Sequence, residues 1–442
     1  MDSVPLGDSI PESFALYLPS HFDPAENWPV IFVVDQKGRG SQALGMFFPA
    51  AEAEGYILAA SNNTHDSLRV ADNILIINRL EKRLLSVFPI QKERMYTAGQ
   101  GTGGQIAALV PSFIKDLSGV ISIGSDIPNL DLLNEREPFY YLGIVGTGDF
   151  NYTDMQRTRD LLNRKDFPNN LLVYEGEASW PDAGLLKMAV KLLTVQAMTS
   201  EEMDRDQAYL LQSFSEMMGQ AHGLLASSQW LRAYDLLEEV RTIYSGLPGA
   251  DSLDDQLKSI RRADLYRSQK REENQAFQKE ALTRADYIYY LDEDIQTYNF
   301  DNLGWWRYQM EELEKYEAGS NQAEQSMGQR LKGYLNALIE DEISQMRTPE
   351  GTDEQALLLL YMLKTITAPD EFPYYLRIIS LSSKYEDYGT ALFYLEELLK
   401  QGYKDKEELY SQEHTALLRI TPEYNALIRK YLDEPRYDLM EQ

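Results

Sequence analysis

Across roughly the first 197 residues, short apolar runs alternate with stretches of helical periodicity, and few folds accommodate that pattern. Phe14–Leu18, Val30–Val34, Tyr56–Ala60, Met95–Ala98, Gly119–Ile123, Tyr140–Val145 and Leu171–Tyr174 read as strands. "VIFVV" and "GVISI" are apolar throughout, without polar alternation, which suits strands buried on both faces of a sheet. "ADNILIINRLEKRLLSVF", "TGGQIAALVPSFI" and "AGLLKMAVKLLTVQAM" instead repeat apolar residues every three or four positions, the period of an amphipathic helix. Strand, helix and strand in succession require parallel neighbours joined by crossovers. The expected fold of residues 1–197 is therefore a doubly wound, mostly parallel α/β sheet.

Beyond about Thr199 the strand signals fade and amphipathic helices run to the C-terminus, so residues 198–442 are expected to form an all-α domain. In "AHGLLASSQWLRAYDLLEEVRTIY", Ala221 and Leu224 mark one helix, and Trp230, Ala233, Leu237 and Val240 mark the next. The spacing resembles a tetratricopeptide repeat, in which small residues let antiparallel helices approach closely. "SSKYEDYGTALFYLEELLKQGY" is a looser copy, with Tyr388, Ala391, Leu395 and Leu398 in the second-helix places. Asp254–Glu342 fits no repeat register, and the last helices are expected to cap the array. An irregular helical domain with alanines placed for packing is the alternative.

Charge narrows the partners. Residues 1–200 carry 24 Asp+Glu against 16 Lys+Arg, a net −8, leaving 46 against 26, a net −20, for residues 201–442. Such acidity repels phosphate backbones and anionic lipid surfaces, so neither nucleic acid nor a membrane is an expected partner. No apolar run is long enough to span a bilayer. With no cysteine, disulfides, thiolate metal sites and a thiol nucleophile are all excluded. The first strand-like run, "SFALYLP", follows only a short polar lead, so no signal peptide is expected; a cytoplasmic protein and an exported one with a trimmed signal both fit.

One stretch bears directly on chemistry. "KERMYTAGQGTGGQIAALV" reads as a short strand, a glycine-packed turn and a helix opening near Thr102, the local architecture of the nucleophile elbow G-x-S-x-G. The five motif positions are Gly99, Gln100, Gly101, Thr102 and Gly103, so a glycine stands where the nucleophile belongs. With "FALYLPSHFDPAENWPVIFVV", "FPAAEAEGYILAASNN", "GIVGTGDFNY" and "VYEGEASWP", the segment resembles the α/β-hydrolase fold, and within it the polyester-depolymerase and feruloyl-esterase group. The likeness spans nearly all of residues 12–197.

The resemblance implies a serine at the elbow, an acid after a later strand and a histidine later still. The imidazole must take the serine proton, and the carboxylate must hold the imidazole. Here those positions hold Gly101, Asp149 and Ala178. The four histidines are His21, His65, His222 and His414, none between Asp149 and residue 197, so no shift of register restores the triad. The family's His-Gly oxyanion position holds Asp35 and Gln36, whose carboxylate would oppose the charge a donor should stabilise. His65, in "SNNTHD", is a weak binding candidate beside the plainer reading of a polar loop residue. Gln100, Thr102 and Trp180, flanking the altered positions, are the candidate ligand contacts.

"LDEDIQTYNFD", with Asp292, Glu293, Asp294 and Asp301, lacks the glycine and terminal glutamate of a calcium loop and reads as a solvated helix end. Tyr287–Tyr290, Trp305 and Trp306 read as packing first and interface second. No metal or cofactor is expected. Three functions follow: an inactive esterase-like module whose helical domain holds protein partners; a vestigial cleft binding an ester, glycan or other small ligand without turnover; or a hydrolase in which Asp149 or Asp154 activates water.

Overall fold

The computed structural model describes residues 1–7, 10–348 and 351–436. Eight strands form one sheet: β1 (Val4–Gly7), β2 (Ile10–Tyr17), β3 (Trp28–Val34), β4 (Ile57–Ser61), β5 (Ile90–Gln100), β6 (Gly119–Ile123), β7 (Tyr140–Gly146) and β8 (Asn169–Tyr174). Their order is β1-β2-β4-β3-β5-β6-β7-β8, with β2 antiparallel to both neighbours and the other pairings parallel. This is a doubly wound, mostly parallel α/β sheet. Every strand expected from the sequence is present; β1, of four residues, is too short to display a period.

Side chains alternate across this sheet and feed two cores. Ile31, Val33, Leu58, Ala98, Ile121 and Ile144 point to the face covered by α1 (Gly40–Glu54) and, later in the chain, by a helix over Ala183–Thr199. Val30, Phe32, Ile57, Ala59, Met95 and Val120 point to the other face, covered by α2 (Val70–Val87) and α3 (Thr102–Phe113). α4 (Tyr152–Arg164) adds Leu162 to that second core, and Ala183–Thr199 is α5. Two apolar faces explain why the strands show no polar alternation.

The chain divides into two compact units, Met1–Gln275 and Ala276–Gln442. The change from mixed to all-helical structure falls near residue 199, but the first unit continues through α6 (Gln207–Ala226), α7 (Trp230–Ile243) and α8 (Leu253–Arg262). The reason is a shared core. Leu210, Met217, Ala221, Leu237, Val240 and Leu257 belong to the same buried cluster as α5 and the sheet. α7 lies on β8 through a polar seam: Asn170 donates to the Glu239 carboxylate at 2.5 Å and accepts from the Tyr140 hydroxyl at 2.8 Å, and Arg159 stands 3.8 Å from Glu239. An edge strand is thereby covered.

α9 (Asp264–Thr297) runs across the division. The second unit contains α10 (Leu303–Glu317), α11 (Gln322–Met346), α12 (Glu354–Thr367), α13 (Phe372–Lys384), α14 (Tyr388–Lys400), α15 (Lys406–Ser411) and α16 (Pro422–Leu432). Its core includes Tyr287, Trp306, Leu335, Ile339, Leu360, Leu395 and Ile428. Asp294, 2% exposed, accepts from Trp306 Nε1, Asn302 and Asn299 at 2.7, 2.7 and 3.0 Å. The acid that looked solvated in sequence is thus a buried hub beneath two helices, while Asp292 and Glu293 are exposed.

The two repeat-like segments each form a helical hairpin, α6–α7 and α13–α14, with Ala221, Ala233 and Ala391 fully buried. Both first helices end alike. Ser228 and Glu386 take positive φ, 62° and 59°, and the next residue's N–H reaches back to Leu224 and Ser382, at 2.8 and 2.9 Å. This is the Schellman closure with a non-glycine residue in the left-handed place. The hairpins lie in different compact units. No described helix is long and apolar enough to cross a membrane.

Candidate functional site

β5 runs into a turn at Gly101, and α3 opens at the next residue. Gly101 has φ 56° and ψ −127°, a conformation that favours glycine. Its N–H donates to the Ile123 carbonyl at 2.9 Å, fixing the turn against the end of β6. A Cβ built at Gly101 would meet nothing within 4 Å, whereas one at Gly103 would overlap the Val34 carbonyl oxygen. The two glycines therefore differ: Gly101 satisfies a backbone angle, and Gly103 lets α3 close onto β3.

Asp149 follows β7 and is 1% exposed. Its Oδ1 accepts from the Asn151 N–H at 2.9 Å, and Asn151 Nδ2 donates to the Gly124 carbonyl at 2.8 Å, tying the acid loop to the end of β6. Burial pushes the Asp149 pKa up to about 6, and the Asn151 hydrogen bond opposes the rise. The loop after β8 stands against the acid loop. Gly148 N–H donates to the Gly176 carbonyl at 2.8 Å, and Thr147 N–H to that of Tyr174 at 2.9 Å. The Tyr174 hydroxyl holds this loop by donating to the Ser179 carbonyl at 2.8 Å and the Glu177 carbonyl at 3.1 Å. Ala178, exposed, lies within it. The structure thus places the buried Asp149 loop beside the loop that carries Ala178, whose side chain is a methyl group.

Asp35 and Gln36 follow β3. The Asp35 carboxylate accepts from the Arg39 backbone N–H at 2.9 Å and pairs with the Arg39 guanidinium at 3.1 and 3.2 Å. Burial alone would raise its pKa, but Arg39's hydrogen bonds and charge, with the Lys37 N–H, hold it below the ordinary carboxylate value. Thr64 Oγ1 donates to the Asp35 carbonyl and Asp66 N–H to that of Gln36, locking this strand end to the loop after β4.

The candidate contacts divide. Gln100 is half-buried at the end of β5 and Thr102 is exposed in the first turn of α3, both flanking Gly101. Trp180 packs edge-on against Phe47 of α1, ring centroids 5.9 Å apart, which makes it a cover for the core. Each histidine is engaged elsewhere. His65 Nδ1 lies 2.8 Å from Ser67 Oγ and 2.9 Å from Asp66, and Asn73 clamps its main chain. His21 tilts against Trp28, His222 lies 3.5 Å from Gln256, and His414 occupies a positive-φ turn in the helical unit. Asp154 pairs with Arg157 at 2.8 Å. Among the described residues, no group of three or more acidic or histidine side chains is placed to hold a metal ion.

No family model matches the chain, and no curated protein matches it. Solved structures do. S-formylglutathione hydrolase from Staphylococcus aureus is similar at 14% identity and a TM-score of 0.34, over 41% of this chain and 90% of that one. Est1E from Butyrivibrio proteoclasticus is similar at 10% identity and 0.36, over 45% and 100%. A Bacteroides ovatus protein assigned as a dipeptidyl aminopeptidase IV is similar at 16% identity and 0.37, over 43% of this chain and 35% of that one.

Proposed function

We propose that the chain is a non-catalytic, esterase-like protein that serves as a binding or scaffold module. In this reading residues 1–197 retain a hydrolase framework without its chemistry, and residues 198–442, taken as tetratricopeptide-like, hold protein partners. The carrying observation is Gly101: at the sharp strand-to-helix turn the backbone takes a positive φ and the residue has no side chain. The reading is supported by Ala178 in the base position and by the engagement of all four histidines elsewhere. Acyl transfer by the family's route needs both hydroxyl and imidazole. Stacked helical hairpins commonly present extended surfaces to peptides, which motivates the partner-holding role.

The test is hydrolysis of short acyl esters by the chain and by its Gly101→Ser variant. Neither is expected to exceed the uncatalysed rate, since the new serine would lack its base. Turnover by the unaltered chain that disappears on Asp149→Asn would reject the reading in favour of water activated by the buried acid.

A second reading draws on the open space above Gly101: the cleft holds an ester, glycan or other small ligand without turning it over. Binding of that kind raises the melting temperature of the α/β part with the logarithm of ligand excess over Kd. A panel of short acyl esters and oligosaccharides that leaves thermal unfolding unmoved would remove it.

A further inference from the structure

The helical unit contains a groove of about 390 Å³ that none of the sequence-derived site candidates lines. One wall is α10, which presents Arg307, Met310, Glu311 and Glu314 along one face, as their spacing dictates. The other is α14, with Phe393, Tyr394 and Glu397; the end of α12 and Tyr375 of α13 complete the groove.

Its lining is not that of an ordinary packing seam. Phe393 is 53% exposed beside the buried Tyr394, rings edge-on at 5.2 Å, so an apolar surface is held open to solvent. Tyr375 is 3% exposed and lines the groove, and its hydroxyl, which makes no hydrogen bond among the described residues, keeps contact with solvent there. Burial raises its pKa; Glu397 and Asp370 add to the rise and Arg307 opposes it, which sets the hydroxyl among charges lining this groove.

The rim is negative. Glu312 is held by Lys315 at 2.5 Å and Glu397 by Lys400 at 2.8 Å. Glu311 and Glu314 are exposed and have no ion pair among the described residues, and Arg307 is the groove's one cation. A second copy of this chain, net −28, offers poor complementarity, and a nucleic acid less.

We propose that this groove docks a positively charged segment of a partner protein. A lysine or arginine head sits between the unpaired Glu311 and Glu314, with Glu397, shared with Lys400, on the facing wall. Its aliphatic stem and a neighbouring apolar side chain lie over Phe393 and Tyr394, and a main-chain polar group meets the Tyr375 hydroxyl. The proposal rests on the reading of the chain as a partner-binding module and adds where and with what chemistry it binds.

The test is selection of a displayed random peptide library on the full chain. Enriched sequences should join Lys or Arg to aromatic or aliphatic residues and weaken with rising salt. Their affinity should fall about tenfold or more on an E311Q/E314Q/E397Q variant. Tyr375→Phe removes one hydroxyl and no packing, and should weaken the same peptides several-fold with thermal unfolding unchanged. Cationic peptides that bind both variants like the parent chain would overturn the groove and leave the partner-binding reading standing. An acidic or purely apolar consensus would overturn the charge argument, and no enrichment on the full chain would count against groove and module alike.

Discussion

Gly101 and Asp149 show how single residues set the backbone and the charge of the turn after β5 and the loop after β7. The backbone of Gly101 keeps a positive φ with open space over its Cα, so Gly101→Ala should cost about 1–2 kcal/mol through backbone strain alone. Gly103→Ala, whose methyl would run into the Val34 carbonyl, should cost on the order of 3 kcal/mol or more. Urea unfolding of the two variants measures the difference; equal losses would mean the elbow is not packed as described. Asp149 makes a prediction in pH. Its folded pKa, about 6, lies above the ordinary aspartate value, so the folded state binds more protons than the unfolded one between those two values. Stability should therefore fall as pH rises from about 4 through 6, with the full cost present above that. Asp149→Asn, which preserves an acceptor for Asn151, should gain on the order of 2 kcal/mol at pH 8 and nothing near pH 4. A pH-independent difference in chemical denaturation would refute the assignment.

Among elements, the seam between α7 and β8 decides most. Glu239 is buried, and burial raises its pKa against the Asn170, Arg159 and Leu171 contacts that favour its ionised form. Glu239→Ala would leave the buried Asn170 amide without its acceptor and remove the nearby charge from Arg159, which keeps Asp160, at about 2 kcal/mol. Hydrogen exchange should localise the damage to β8 and α7; protection lost evenly over the whole sheet would argue that the seam is not the weak link. This element was half legible. Ala233, Leu237 and Val240 announced an amphipathic helix, but nothing in their spacing said that its apolar face meets a strand as well as α6. The two hairpin ends were less legible still, since Ser228 and Glu386 take the left-handed place where glycine is the usual signal.

For the whole chain, the division at residue 275 has a consequence for truncation. A fragment ending at residue 275 keeps Leu210, Met217, Ala221, Leu237 and Val240 over α5 and the sheet, and should unfold cooperatively. One ending at residue 197 strips those side chains from a shared core and should aggregate or bind hydrophobic dyes. Circular dichroism melts of the two fragments decide between them; equal stability would restore the boundary that the change of secondary structure suggests.

By itself, the sequence determined the periodicity of each element, the order of strands and helices along the chain, and that positions 101, 149 and 178 hold glycine, aspartate and alanine. Those properties are local: they follow from two-residue and near-four-residue repeats and from which side chains the chain possesses. Only the tertiary structure decided that Arg39 neutralises Asp35, that Asp294 is a buried hub, that α6–α8 share the sheet's core, and that α10 and α14 leave an acidic, aromatic groove between them. Each depends on residues distant in sequence approaching one another, or on which of several chemically equal neighbours a side chain reaches. Burial, and with it the energy of a charge or a ring, is a property of that assembled packing and of no residue alone.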